Sequence, residues 1–433
     1  MMKNDIDEIK VSEKHVGLRV VLFIVAVAVA VGAFSYGITS LGRKESGYQL
    51  IEAATDADAS FYNREISFSY YLEGSSGAIK KATKELSAAY TPMLAAAYKE
   101  LDPSTEYSGS VSIGAINNHL GEEVGVSAAL YSVLKDAYAR TLEGRNFNMF
   151  AGALYDEWRS VLILDDPVGF DPSTNDLMAE RFALIAEEVS NLDNFKLEFL
   201  DDERHIVRFG VSSHYADFCE EMEITAGALD LNVLTNAYRL EMLVSSLEGL
   251  GFVDGYLLSQ DGLAVTLSGC RRQGYALYGY DWSMGASGES DVSSGDGEEV
   301  LGSVVERGVF FVEGASSKAF MSAFAFGGYY NAVVDGRLRH LFFDVSTGDI
   351  HDVVMSCTIV SADGNIVDDM ADISYLCSLP SKAEVLKEVS SLEGEDPTLF
   401  VDISFQDGTD HVSLDSAALY DSILDSSVAK EVL

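Results

Sequence analysis

The chain has 433 residues, and 69 acidic side chains stand against 29 basic ones, a formal net charge of −40. A polyanion of this kind repels nucleic acid and anionic headgroups, so nucleic-acid binding is excluded as a function class. Hydrophobic residues make up 48% of the chain, enough for a real core, and the acidity reads as solubility in a salty or acidic outer environment or as a binding device.

Residues 20–42 (VVLFIVAVAVAVGAFSYGITSLG) carry no charge. About 20 apolar residues in a helix cross a hydrocarbon core of roughly 30 Å. A cleaved signal peptide is the rival reading, with Gly32 and Ala33 near a cleavage site, but the run exceeds a usual apolar signal core. Lys10, Lys14 and Arg19 precede it, and Arg43 and Lys44 follow it, so the positive-inside bias is slight. The short tail favours N-in. The expectation is a cytoplasmic tail (1–19), one transmembrane anchor (20–42) and a large extracytoplasmic domain at the cell membrane.

Beyond the anchor, Glu65–Leu72 alternates as a strand does. A helix is expected from about Ile79 to Leu101, stopped by Asp102-Pro103. A second is expected over Ser127–Leu142, with Ser127 as N-cap and Leu130, Val133, Leu134 and Ala137 on one face. A third covers Asn175–Val189. Lys196–Leu200 and His205–Val211 form a strand pair across Asp201-Asp202, and Leu234–Leu250 is helical. Short strands with Gly breaks fill Val253–Val312, interrupted at Gly285–Glu299 by an acidic, Gly- and Ser-rich surface loop. Ala319–Phe326, Leu338–Phe343 and Val353–Val360 read as further strands. No βαβ repeat appears, so the expected class is α+β, with mixed or antiparallel sheets and flanking helices. Cys219, Cys270, Cys357 and Cys377 lack zinc-ligand spacing and suit either two disulfides or buried thiols.

Seven segments in order resemble motifs of the ApbE family of FAD:protein FMN transferases. Ser112–Asn117 (SIGAIN) is similar to its S-x-I-x-x-x-N segment, and Val124–Leu134 to the strand-to-helix step that follows. Phe147-Asn148, Gly152, Leu154 and Trp158 follow G-x-F-[DN]-x-x-x-G-x-L-x-x-x-W. Leu229–Tyr238 (LDLNVLTNAY) occupies the place of L-D-L-G-G-I-A-K-G-Y, and Gly327–Tyr330 that of T-S-G-x-Y. Asp335–Gly348 (DGRLRHLFFDVSTG) resembles D-G-x-x-x-H-H-I-I-D-P-x-T-G, and Val367–Asp372 (VDDMAD) resembles the metal motif A-D-A-x-x-T. The likeness runs from about 60 to 380, which puts a transferase-like domain at 46–385 and an extension at 386–433.

The resemblance implies an exported or anchored protein that moves FMN from FAD to a Thr of an exported redox partner, with Mg²⁺. It implies catalytic roles for His340 and Asp344, flavin contacts at Asp230, Asn236, Tyr329, Thr347 and Gly348, and metal ligands at Asp368 and Asp372. Departures weaken the implication. Asn232 and Val233 replace a Gly pair that would admit a phosphate, and Asn236 replaces a Lys. Leu341 replaces the second His, Val345 a Pro and Asp372 a Thr, although a carboxylate also suits Mg²⁺. Plain readings stand beside each candidate. Asp368 and Asp372 share a helix face and would also serve a solvated helix start. His340 also reads as a strand histidine, Asp344-Thr347-Gly348 as a turn, and Asp230 as a helix cap. Tyr329 and Tyr330 would stack on a flavin or fill a strand, and Arg271-Arg272 would bind phosphate or lie on the surface. Three readings stay open: a transferase with weakened catalysis, a catalytically inactive flavin-binding or scaffold module of an envelope redox assembly, and an unrelated acidic surface protein.

Overall fold

The computed structural model describes residues 45–54, 62–164, 166–271, 274–281, 303–311, 317–322, 332–334, 337–362, 365–396, 399–412 and 430–431. The expected anchor (20–42), the acidic loop (285–299) and Tyr329 lie outside them. Among the described residues no helix is long and apolar enough to cross a membrane. Contacts divide the chain into two units. In the first, which holds residues 45–47 and 72–84 of those described, the Gly74 N–H donates to Ser46 Oγ (3.1 Å). The second holds residues 48–71 and the described chain from 85 onward.

The class is α+β. Among the described residues the largest sheet has nine strands. In spatial order they are Gly47–Ile51, Ile66–Leu72, Gly255–Ser259, Ala264–Thr266, Ser317–Ser322, Val354–Ser361, Phe400–Phe405, Asp410–Val412 and Lys430–Glu431. That order is also the chain order. From Ile66–Leu72 to Asp410–Val412 neighbouring strands pair antiparallel. Val354–Ser361 (VMSCTIVS) and Phe400–Phe405 (FVDISF) are buried at every position, as strands covered on both faces are. Helix Ile366–Cys377 packs on Val354–Ser361 and Ser317–Ser322, and helix Lys382–Glu395 on Phe400–Phe405. The boundary drawn at 385 falls inside Lys382–Glu395, and Phe400–Phe405 continues the sheet, because its apolar side chains need the same core.

Between Ile66–Leu72 and Gly255–Ser259 the chain inserts seven helices and a small sheet of Glu123–Gly125, Ile206–Val211 and Phe195–Asp201. Local chemistry explains their bounds. Ser127 Oγ accepts from the Leu130 N–H (3.0 Å) and starts helix Ala128–Glu143, which Gly144 ends in the left-handed region (φ 73°). Asn175 caps helix Asp176–Ser190 in the same way. One expected strand is corrected. The strand is Arg337–Arg339, so only Leu338 and Arg339 of Leu338–Phe343 belong to it, and His340–Phe343 is buried irregular chain. Arg339, the last strand residue, pairs with Ala332, and its guanidinium reaches Asp171 (2.7 Å) and Asp352 (2.8 Å) in a buried ion network. All four cysteines are free thiols, and burial raises the pKa of Cys357 and Cys377.

Candidate functional site

The motif residues come together as backbone clamps. Ser112 caps helix Ile113–Asn118, and at its end Asn117 Nδ2 donates to the carbonyls of Leu229 and Pro103 (2.9 Å each). Asn117 Oδ1 accepts from the Leu229 N–H (2.9 Å), so this one amide fixes the segment that carries Asp230. A Cβ on Gly152 would lie 2.1 Å from the Gly227 carbonyl oxygen, so only glycine allows this approach. Trp158 Nε1 donates to the Gly348 carbonyl (2.9 Å), and Gly348 takes φ 79°.

Asp344 lines a cavity of about 390 Å³ together with Asn146, Asn148, Ser346 and Tyr375. Its Oδ1 accepts from the Ser346 N–H (2.8 Å) and Oγ (2.6 Å), and its carbonyl accepts from the Gly348 N–H (2.7 Å). Thr347 accepts from the Asp349 N–H (3.2 Å) within the same turn. This is the Asp-started turn of the plain reading. His340 does not join it. It is buried, and its Nδ1 accepts from the Phe342 N–H (3.1 Å). Burial, with the Arg339 charge beside it, pushes its pKa down to about 3. A buried, neutral imidazole with Nδ1 occupied is not placed to take a proton from a substrate, and Leu341 beside it is also core.

Asp230 is buried; its Oδ2 accepts from Arg159 Nη1 (2.8 Å) and its Oδ1 from the N–H of Asn232 (2.8 Å), the first residue of the short 3-10 turn Asn232–Leu234. Asn236 Nδ2 donates to Asp261 Oδ2 (2.7 Å), and its Oδ1 accepts from Arg239 Nη1 (2.7 Å). Arg239 is the cation that sequence reading missed, three residues on and therefore on the same helix face. Its guanidinium lies 4.1 Å from the centroid of the Tyr98 ring, and burial lowers its pKa. Asn232 stands at φ 57°, and both polar atoms of its buried side chain lack a partner.

Asp368 and Asp372 do lie on one face of helix Ile366–Cys377 and line a second cavity, of about 270 Å³. Each already has a cation. Asp368 accepts from Arg140 Nη2 and from Asn365 Nδ2. Asp372 Oδ1 lies 3.1 Å from Arg145 Nη1. Arg140 is completed by Asp136 (2.7 Å), which also accepts from the Tyr238 hydroxyl (2.6 Å). Arg145 is completed by Glu388 (2.7 Å) and lies over the Tyr375 ring. Burial raises the Asp372 pKa to about 6; Arg145 opposes this, while the charges of Asp368 and Glu388 add to it. Asp369, between them, is buried and accepts from Ser317 Oγ (2.5 Å) and Ser361 Oγ (3.0 Å). Among the described residues no three His, Cys, Asp or Glu side chains converge to hold an ion. Mg²⁺ needs a near-octahedral oxygen set, and two guanidiniums already face these carboxylates. The residues present do not fit the metal that the resemblance implies.

No protein-family model matches the chain, and no curated protein resembles it by sequence. Solved structures do. An ApbE protein from Thermotoga maritima is similar over 86% of this chain and 99% of its own, with a TM-score of 0.51 at 17% identity. The chain has the ApbE fold. The flavin transferase ApbE of Vibrio cholerae covers 86% of this chain and 99% of its own at TM-score 0.48 and 12% identity. Apo flavinyl transferase ApbE of Pseudomonas stutzeri covers 87% and 98% at TM-score 0.47 and 11% identity. Within the ApbE fold, Arg145 stands at the first Gly of the G-x-F-[DN] stretch quoted above. Asn146 follows it at φ 50° and accepts from the Val345 N–H (2.9 Å), a donor that the Pro of the pattern would not supply.

Proposed function

We propose that this chain is a flavin-nucleotide-binding module on the ApbE fold, in which transfer of FMN from FAD to a Thr of an exported redox partner is weakened or lost. One observation carries the reading: the charged and titratable side chains expected to do the chemistry are engaged inside the chain. FMN transfer needs the Thr oxygen to attack the FMN phosphorus, a base to take the hydroxyl proton, and positive charge on the pyrophosphate as AMP leaves. His340 is buried and neutral, Asp230 is spent on Arg159, and Asn236 is spent on Asp261 and Arg239. Asp344 borders the cavity of about 390 Å³, a size that suits a small ligand. Anchoring by residues 20–42, with the large domain outside the cytoplasm, belongs to the same proposal.

The full-length chain titrated with FAD, then incubated with FAD, Mg²⁺ and a Thr-bearing acceptor, tests it. Quenching of flavin fluorescence with no fluorescent acceptor band in the gel is the expected result. Turnover on the order of 1 s⁻¹ or more would restore the transferase reading. Absence of any FAD binding would remove the flavin from the proposal.

A further inference from the structure

The two departures that meet in the second cavity explain one another. Arg145 stands where the motif pattern has Gly, Asp372 where it has Thr, and the two groups lie 3.1 Å apart. Arg140 reaches Asp368 on the same helix face from the last turn of helix Ala128–Glu143, where a cation also suits the helix dipole. Two guanidiniums carry the formal charge of one divalent ion, and they face the same two carboxylates. We propose that Arg140 and Arg145 occupy the seat of a divalent cation, so that helix Ile366–Cys377 is fixed by guanidinium charge and the chain is metal-independent at this site.

The pairings are built, not incidental. Asp136 shares Arg140 and is itself held by Tyr238, and Glu388 shares Arg145. The Arg140 side chain is 15% exposed and that of Asp372 19%, so both ion pairs are partly withdrawn from water. A metal ion entering here would have to expel these guanidiniums, leaving Arg140 with Asp136 and Arg145 with Glu388 as their remaining carboxylates, which is costly for partly buried charge. The proposal does not rest on flavin binding.

The test is thermal unfolding of the full-length chain in EDTA, Mg²⁺ and Mn²⁺, for wild type, Arg145→Gln and Arg140→Gln/Arg145→Gln. Wild type should unfold at the same temperature in all three. The variants free one or both carboxylates, and Mn²⁺ at about 100-fold over its Kd should raise their Tm by about 3 °C. Arg145 is the more exposed of the two, so its single variant serves if the double fails to fold, with far-UV circular dichroism as the check. Mn²⁺ titration of wild type followed by electron paramagnetic resonance gives an answer without any variant, and the free-ion signal should persist. A metal-dependent rise in wild-type Tm that Asp372→Asn abolishes would overturn the proposal. So would a folded Arg145→Gln chain that gains nothing from metal.

Discussion

Asn232 holds the left-handed conformation (φ 57°) at a position where the motif pattern has Gly. That conformation costs most L-residues roughly 1–2 kcal/mol, less for Asn, and a buried amide without a partner costs about 1–3 kcal/mol. Replacing it with Gly removes both penalties and adds back some unfolded-chain entropy. Asn232→Gly should therefore stabilise the chain by about 1 kcal/mol, read from the urea midpoint; a loss of stability would mean that the amide has a partner. His340 makes the opposite kind of prediction. Its folded pKa, about 3, lies below its ordinary 6.5, so the stability of the neutral form is complete above pH 6.5 and is lost as pH falls toward 3. His340→Gln, which binds no proton, should lose about 2 kcal/mol less than wild type between pH 7 and pH 5. An imidazole titrating near 6 by NMR would contradict the burial described here.

At the scale of elements, helices Ala128–Glu143 and Ile366–Cys377 are joined by Arg140 and Asp368, with Arg145 and Asp372 beside them. Asp372 has a folded pKa of about 6, above its ordinary 3.8, so ionising it costs stability as pH rises from about 4 through 6. Arg145 offsets that cost only when Asp372 is charged. Arg145→Gln should therefore destabilise more at pH 7.5 than at pH 5, by about 1 kcal/mol after allowing for solvent screening of the half-exposed guanidinium. Urea midpoints at the two pH values check this, and equal losses would sink it. Helix Ala128–Glu143 was legible from sequence, as were its cap Ser127 and the shared face of Asp368 and Asp372, because these are local. Arg140 was not, since its partner lies 228 residues away and no short-range pattern records it. Leu338–Phe343 was misread because a run of apolar residues says that a segment is buried, not that it is strand. The motif positions that match are largely those that hold backbone, such as Asn117, Gly152 and Gly348, while several that depart are those that would hold charge.

For the whole molecule, the proposed anchor gives a direct expectation. Protease added to spheroplasts should digest the chain after Lys44 and spare the short N-terminal tail. Full protection of the large domain would reverse the orientation. The order of the main sheet has a different consequence. Ser67 lies beside Leu258, 191 residues further along the chain, with the whole helical insertion between them. At about 5–20 residues per second, the ribosome leaves the strand Ile66–Leu72 without that neighbour for roughly 10–40 s. Closing so long a loop is slow in its own right. Ile66 and Phe68, fully buried once folding is complete, are exposed on the nascent chain through that interval. The early strand is thus the segment most in need of a holding chaperone, and biogenesis is the stage at which this protein is most open to aggregation.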